Sequence, residues 1–179
     1  MKRVILTASL ALLVIGMLVS VALATNWNNF TAGDDSTVTF SQQDLTEMMH
    51  DAFHWSDENN VEPTDITTTN YHSSSGKEVY VYDYDYDHDN WAGLWTCLQW
   101  GSGNTVCEIG QAQINLYNPS SHHTWYTDSS RWIACHEIGH ALGLKHSDGS
   151  DPDDSCMENE YNSLQTLSSH DVTHINDNY

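Results

Sequence analysis

The sequence has very little positive charge. Lys and Arg together number 5 against 25 Asp and Glu, so the 179 residues carry a formal net charge of −20 at pH 7. A chain of this charge has few groups that could neutralise phosphates, which excludes a nucleic-acid binder and makes an anionic membrane surface an unfavourable partner. Hydrophobic residues still make up 39% of the chain, so a core can be buried and wholesale disorder is excluded.

Long apolar runs are also lacking, except at the N-terminus. There, two basic residues precede an apolar segment over residues 4–21, and Ala22-Leu23-Ala24 forms a small-x-small cleavage site. This pattern predicts a signal peptide over residues 1–24, removed from a secreted, extracellular protein. The alternative is an uncleaved membrane anchor, because the segment and the cleavage site together are long enough to span a bilayer. Residues 25–179 then form one domain.

Cysteine is scarce, and all four cysteines follow the predicted signal peptide. An oxidising compartment makes two disulfides the expectation, and four cysteines allow three pairings. We favour Cys97 with Cys107, which closes a short loop containing Gly101. The near absence of Lys together with the acidity suggests a protein adapted to high salt, where screening weakens self-repulsion.

Periodicity predicts three helices and three strands in this domain. The helices are expected over residues 42–56, 129–142 and, beginning after Ser168 or Ser169, within 164–176; the strands are expected over residues 65–71, 78–87 and 111–117. Ser41 with Asp44 resembles a capping box for the first helix. Asp128 and Gly143 are the expected N-cap and end of the second helix.

The second predicted strand alternates tyrosine with aspartate. One face of the strand carries tyrosines, and the other face carries aspartates, to which Asp89 just beyond the strand is added. The tyrosines are Tyr80, Tyr82, Tyr84 and Tyr86, and the aspartates are Asp83, Asp85, Asp87 and Asp89. The acidic face is either exposed to solvent or a site for a hard cation, Ca²⁺, since alternate carboxylates otherwise repel each other. Two further histidine sets, His122-His123 and His72 with His88, are either surface residues or a second zinc site.

The residues that indicate chemistry lie in the second predicted helix, in the run His136-Glu137-Ile138-Gly139-His140. Two imidazoles four residues apart lie on the same helix face and can chelate one ion, for which zinc is the natural candidate. Glu137 lies about 100° further around the helix, where it can act as the general base on a water activated by the metal. A continued helix would hold His146 about 15 Å along the axis from His136, so we expect the helix to end at Gly143 and His146 to return as the third ligand.

These residues continue into a longer pattern, His136-Glu137-x-x-His140-x-x-Gly143-x-x-His146, with Met157 eleven residues further on. The pattern resembles that of the metzincin zinc endopeptidases, and within them the compact, matrixin-like secreted enzymes. The resemblance implies an α+β fold with a twisted mixed β-sheet, an active-site helix that binds zinc, a Met turn and a C-terminal helix. It also implies that Met157, which lies in the Met turn Ser155-Cys156-Met157, packs beneath the ion without binding it. A disulfide between Cys135 and Cys156 would then join the active-site helix to the Met turn.

The resemblance implies a secreted zinc-dependent endopeptidase in which Glu137 is the general base. One catalytic Zn²⁺ would be bound by His136, His140 and His146. The partner would be an extended polypeptide substrate, laid antiparallel along the strand near residues 113–116 and held by backbone hydrogen bonds. We expect a monomer with no nucleic-acid partner and no stable membrane partner after signal cleavage. The alternative function is that of a non-catalytic, acidic metal-binding surface protein.

Overall fold

The structure is a computed structural model, and it describes residues 36–42, 45–71, 77–85, 91–101, 106–116, 127–147 and 154–179. The predicted signal peptide lies outside the described residues, as do Asp44, Tyr86, Asp87, Asp89, His72, His88, His122 and His123. Within the described residues, no helix is both long enough and apolar enough to cross a bilayer.

Five strands form one mixed sheet. They are β1 (Thr37–Gln42), β2 (Thr67–Tyr71), β3 (Val79–Tyr84), β4 (Gly93–Trp100) and β5 (Cys107–Asn115). The strand order is β2-β1-β3-β5-β4, and every pairing is parallel except that of β4 with β5. The antiparallel β4 therefore forms one edge of the described sheet, and β5 is an interior strand.

Three α-helices accompany the sheet. α1 (Glu47–Ser56) continues into one π-helical turn (Asp57–Val61), α2 (Thr127–Ala141) packs against α1, and α3 (Ser169–Asn178) is the last element of the chain. A mixed sheet with three helices confirms the expected α+β class.

One buried apolar cluster joins the sheet to all three helices. Its members include Val38, Val81 and Ile114 from the strands, Met49 and Phe53 from α1, Ile133 and Ile138 from α2, and Ile175 from α3. Each such side chain contributes about 1.5 to 3 kcal/mol when it is fully buried, so this cluster fixes α2 against the sheet. Because α2 carries the zinc motif, the core also fixes the position of the candidate site.

The first helix begins later than the sequence predicts. Residues 37–42 form β1, so Ser41 lies in a strand and the predicted capping box and helix start at residue 42 are wrong. β1 is rich in Thr, Val and Phe, and its pairing with two neighbouring strands satisfies more backbone groups than a local cap could. α1 starts instead after Thr46, whose N–H and hydroxyl both donate to Asp83 Oδ2, at 2.9 and 2.6 Å.

The aspartate face of β3 is directed into the protein. Val79 and Val81 are buried on this face, and Asp83 is only 7% exposed, whereas the tyrosines between and after them are partly or largely exposed. The solvent-exposed interpretation is therefore wrong for Asp83, whose carboxylate holds the start of α1. Asp85 is exposed, as that interpretation requires. Calcium binding at this strand stays a prediction.

The remaining predicted elements lie near their expected positions. β2, β3, β5 and α3 each overlap the predicted segment, and α3 begins after Ser168 as expected. The Ser168 hydroxyl accepts from Asp171 N at 3.1 Å, and the Asp171 carboxylate accepts from Ser168 N at 3.1 Å, which completes a capping box. α2 starts at Thr127, so the predicted N-cap, Asp128, is wrong and this residue lies in the first turn.

β4 is not among the strands that the sequence predicts. This strand forms a hairpin with β5, and the disulfide between Cys97 and Cys107 joins the two strands. The second disulfide joins Cys135 to Cys156, so both favoured pairings are confirmed.

Candidate active site

Three histidine side chains converge in the structure. α2 places His136 and His140 one turn apart with their Nε2 atoms 3.1 Å from each other, and His146 Nε2 is 3.1 Å from His136 Nε2. The candidate ligand atoms all lie within 4.8 Å of one another, and this is the one such group of three or more residues among the described ranges. The structure therefore brings together all three histidines that the motif predicted.

The return of His146 depends on how α2 ends. Gly143 has a φ of 95°, in the left-handed region that favours glycine. Leu144 N donates to Gly139 O at 2.9 Å and Gly143 N donates to His140 O at 3.0 Å, the two hydrogen bonds of a Schellman motif. The chain then reverses, which confirms the predicted helix end and brings His146 back towards α2.

Two backbone carbonyls orient the histidine rings. Nδ1 of His136 lies 2.8 Å from the carbonyl oxygen of Cys156, and Nδ1 of His140 lies 2.8 Å from that of Leu144. Because a carbonyl only accepts, each Nδ1 carries the hydrogen, and in a neutral imidazole Nε2 is then left with a bare lone pair. Two such lone pairs at 3.1 Å repel each other and cannot form a hydrogen bond, so the arrangement favours a cation bound between the two nitrogens.

The histidine cluster fits zinc in particular. Imidazole nitrogens bind Zn²⁺ at 2.0–2.1 Å, and a tetrahedral arrangement then places two ligand nitrogens about 3.3 Å apart. Two of the three separations, from His136 to His140 and from His136 to His146, are 3.1 Å and close to this value, and the third pair lies within 4.8 Å. Three protein ligands would leave one tetrahedral position for solvent or substrate, as in catalytic rather than structural zinc sites.

Burial keeps the imidazoles neutral. Burial and then the neighbouring His140 lower the pKa of His136 from 6.5 to about 3. Burial likewise lowers the pKa of His140 to about 4 and also lowers the pKa of His146, the most exposed of the three. Proton competition for the lone pairs is therefore weak near neutral pH, which favours metal binding.

Glu137 is the acidic group of the site. It is only 1% exposed, and its Oε2 has no hydrogen-bond partner among the described residues. Burial raises the pKa of Glu137 from 4.5 to about 8. Its other oxygen, Oε1, lies against the backbone of Gly93 at the start of β4, where a Cβ atom would collide with it. The site thus holds a carboxyl group that can bind or release a proton near neutral pH.

Met157 lies beneath α2, the helix that carries His136 and His140. Its side chain is fully buried, and its sulfur occupies the space that a Cβ on Gly139 would need. Ser147 N donates to Met157 O at 2.9 Å, so the segment after His146 is joined to the Met turn. The disulfide from Cys135 reaches the same turn, in agreement with the role that the resemblance implied for it.

The site opens into a cleft of about 510 Å³. The start of β4 forms one side of the cleft, and α2 with the segment that follows it forms the other side. The lining residues are Gly93, Leu94, Trp95, His136, Glu137, His140, Lys145 and His146. The expected substrate strand near residues 113–116 is wrong, because β5 is paired on both sides and β4 lies at the edge. Gly93 and Lys145 also line the cleft but were not predicted as site residues, because a single glycine or a single lysine forms no recognisable motif in the sequence.

Converging imidazoles beside a buried carboxyl group, at the edge of a mixed sheet, form the kind of site that metal-dependent hydrolases use. The chain belongs to the matrixin family of peptidases, since the family model described as peptidase M10, matrixin, matches residues 30–179. The resemblance seen in the motif is thereby confirmed, and at the level of the family the chain is a zinc metallopeptidase.

A solved structure described as the GM1-bound form of the ECX AB5 holotoxin matches with a TM-score of 0.53 at 15% identity, over 84% of this chain and 85% of that chain. At this identity the match shows a similar fold and nothing about function. No match was found among the curated proteins.

Proposed function

We propose that the protein is a secreted zinc-dependent endopeptidase. His136, His140 and His146 would hold the ion, and Glu137 would be the general base. The observation that carries the proposal is the convergence of three Nε2 atoms, beside a buried carboxyl group, at the bottom of an open cleft. A structural zinc site would instead fill all four positions with protein ligands, so the open cleft disfavours the non-catalytic alternative.

Glu137 supports the proton transfers of peptide hydrolysis. Zn²⁺ bound at the three histidines would supply a Lewis acid that polarises the scissile carbonyl and makes water a better nucleophile. Glu137 would take the proton from the attacking water and pass it to the leaving amine. A pKa raised to about 8 by burial suits both steps, since the group can then accept and return a proton near neutral pH.

The edge strand β4 supports an extended polypeptide as the substrate. β4 lies beside the cleft and is paired on one side with β5, so its other edge can pair with a substrate backbone. Leu94 and Leu98 are 42% and 53% exposed on this strand and could contact substrate side chains. Backbone pairing would hold the peptide and the side chains would set the preference.

Secretion is supported by the predicted signal peptide over residues 1–24 and by two disulfides, which form and persist in oxidising compartments. Sequencing the N-terminus of protein recovered from the culture medium tests it: a start at residue 25 supports cleavage and export, and a retained leader supports the anchor.

Substitution of the general base tests the proposed enzyme. Glu137→Gln should keep one zinc per chain and lose casein hydrolysis by about 10²- to 10⁴-fold, because the amide cannot accept the proton. Zinc content is measured by elemental analysis of the folded protein, and a chelator followed by added Zn²⁺ should abolish and restore wild-type cleavage. A zinc-loaded wild type that cleaves no peptide would instead support the non-catalytic alternative.

A further inference from the structure

A second pair of histidines lies on α3, outside the site already described. His170 and His174 are one helical turn apart, and their Nε2 atoms are 3.1 Å from each other. The ring centroids are 4.4 Å apart and the rings are nearly perpendicular, at 85°. Both residues are partly exposed, while Nδ1 of His170 is itself buried. Both histidines fall within the predicted last helix.

The α3 pair has nearly the same geometry as the two helical histidines of the active site. His136 and His140 have the same four-residue spacing, the same Nε2 separation of 3.1 Å, a centroid distance of 4.7 Å and a ring angle of 89°. With Zn–N bonds of 2.0–2.1 Å, a separation of 3.1 Å gives an N–Zn–N angle of about 100°, near the tetrahedral value. The α3 pair can therefore chelate an ion without moving its rings apart.

Helical spacing alone does not produce this geometry. α1 also carries two histidines four residues apart, His50 and His54. Their rings face carboxylates instead: His50 Nδ1 is 3.9 Å from Asp51 Oδ1, and His54 Nδ1 is 3.4 Å from Glu58 Oε1. The convergence of two Nε2 atoms on α3 is thus a property of that helix, and the α1 pair is its natural control.

We propose that His170 and His174 form a second metal site, which binds one borderline divalent transition-metal ion such as Zn²⁺. Imidazole nitrogen is a preferred ligand for this class of ion, and water would complete the coordination. The net charge of −20 raises the local concentration of cations around the protein. With two protein ligands rather than three, the site binds zinc more weakly than the active-site cluster does.

Occupation of this site would stabilise the last helix. The two histidines flank Asp171, whose Oδ2 accepts from the Ser155 hydroxyl at 2.5 Å and from Ser168 N at 3.1 Å. Ser155 in turn accepts from Met157 N at 3.1 Å. An ion bridging this helical turn binds the folded state and not the unfolded chain, so it raises the melting temperature as zinc is added.

The site can be tested by calorimetric titration of Zn²⁺ into the full-length Glu137→Gln protein, which we expect to bind one zinc at the active site and not to digest itself. We expect one additional zinc per chain, weaker than the first. His174→Ala should lose this second site or weaken it at least tenfold, while keeping the first zinc. The matched control, His50→Ala with His54→Ala, should bind both ions as the parent does. A melting curve in excess zinc should show an added rise in the parent and the control only.

Two results would overturn the proposal. If the parent binds only one zinc, the α3 rings share an N–H···N hydrogen bond and no ion. If His174→Ala binds the second zinc as tightly as the parent, the ion lies elsewhere, for example among carboxylates. The circular dichroism spectrum and the retained first zinc show whether each variant is folded. Neither result bears on the proposed peptidase activity, which depends on other residues.

Discussion

At the scale of single residues, the active site combines histidines that are placed by local spacing with a carboxyl group, Glu137, that is placed by a contact between distant parts of the chain. The spacing of His136 and His140 on a helix dictates that their rings share a face, and Gly143 allows the turn that returns His146. The position of Gly93 against Glu137 depends instead on how β4 packs across α2. No local pattern encodes such a long-range contact.

Gly93→Ala should impair catalysis while leaving metal binding intact. A Cβ atom at Gly93 would collide with Glu137 Oε1 and approach Ile133 Cδ1 to 2.8 Å, so the carboxyl group has to shift. Because a displacement of about 1 Å can cost about 10²-fold in rate, we expect a loss of that order in kcat/KM. Zinc content and peptide cleavage are measured together.

The control for this prediction is Gly101→Ala, at the end of the same hairpin. There the added Cβ would meet Glu108 Oε1 at 3.1 Å, and this exposed side chain can move away. Gly101→Ala should keep nearly full activity. Equal activity of the Gly93 variant and the wild type would show that the glycine does not position Glu137.

The raised pKa of Glu137 gives this residue a contribution to the stability of the metal-free protein that falls as pH rises. Between pH 4.5 and about 8 the folded state keeps this proton and the unfolded chain releases it, so the contribution of Glu137 to the free energy of unfolding decreases. The three histidines, whose pKa values are lowered, contribute with the opposite sign. The slope is at most about 1.4 kcal/mol per pH unit for one proton. Chemical denaturation measures the free energy of unfolding of the wild type and of Glu137→Gln, both treated with chelator. The slopes of this free energy against pH should differ between pH 4.5 and about 8 and become similar below pH 4.5. Parallel pH profiles of the two proteins would contradict the shift.

At the scale of elements, periodic segments were predicted well and segments decided by pairing were not. α2 and α3 have helical spacing, and α3 begins after Ser168, one of the two starts that the sequence predicted. β1 was obscured because Ser41 suggested a helix start, although parallel pairing with β2 and β3 decides its structure. β4 has no regular polar alternation, because several of its large side chains stay exposed at the sheet edge.

The bridge from α2 to the Met turn should hold the metal site together. Cys156 is bonded to Cys135, and its carbonyl oxygen accepts from His136 Nδ1. Replacing both cysteines by serine frees this carbonyl to move, and loss of such a supporting contact typically weakens metal binding about 10- to 100-fold. Competition with a chromophoric chelator measures the zinc affinity.

The second disulfide provides the matched control. Cys97→Ser with Cys107→Ser opens the β4–β5 hairpin, whose bridge makes no contact with the histidine rings in the structure as described. Zinc affinity should be unchanged in this variant. Similar losses in both double variants would point to general destabilisation rather than to a role of the first bridge in orienting His136.

At the scale of the whole molecule, charge should dominate the response to salt. A net charge of −20 on 179 residues makes the folded state repel itself. The Debye length falls from about 10 Å at 0.1 M salt to about 3 Å at 1 M, so added NaCl relieves this repulsion. Each kcal/mol of relief raises the melting temperature by about 2 to 4 °C for a chain of this size.

Melting curves of the zinc-loaded protein at 0.1 and 1 M NaCl check this prediction. Tetramethylammonium chloride at the same ionic strength separates screening from specific binding of sodium, because screening predicts the same rise in both salts. A melting temperature that is constant or falls with salt would remove the basis for adaptation to a saline environment.

Cys156 links the formation of a disulfide to the orientation of a candidate metal ligand, His136. Cys156 gives its sulfur to the covalent bridge and its carbonyl oxygen to the ring of His136. During biosynthesis, a newly made chain with reduced thiols would hold that ring less firmly and retain zinc less well. Under the proposed function and export, the producing cell would contain a weaker peptidase than the one released from it, and the protein would gain its full hydrolytic activity only after export.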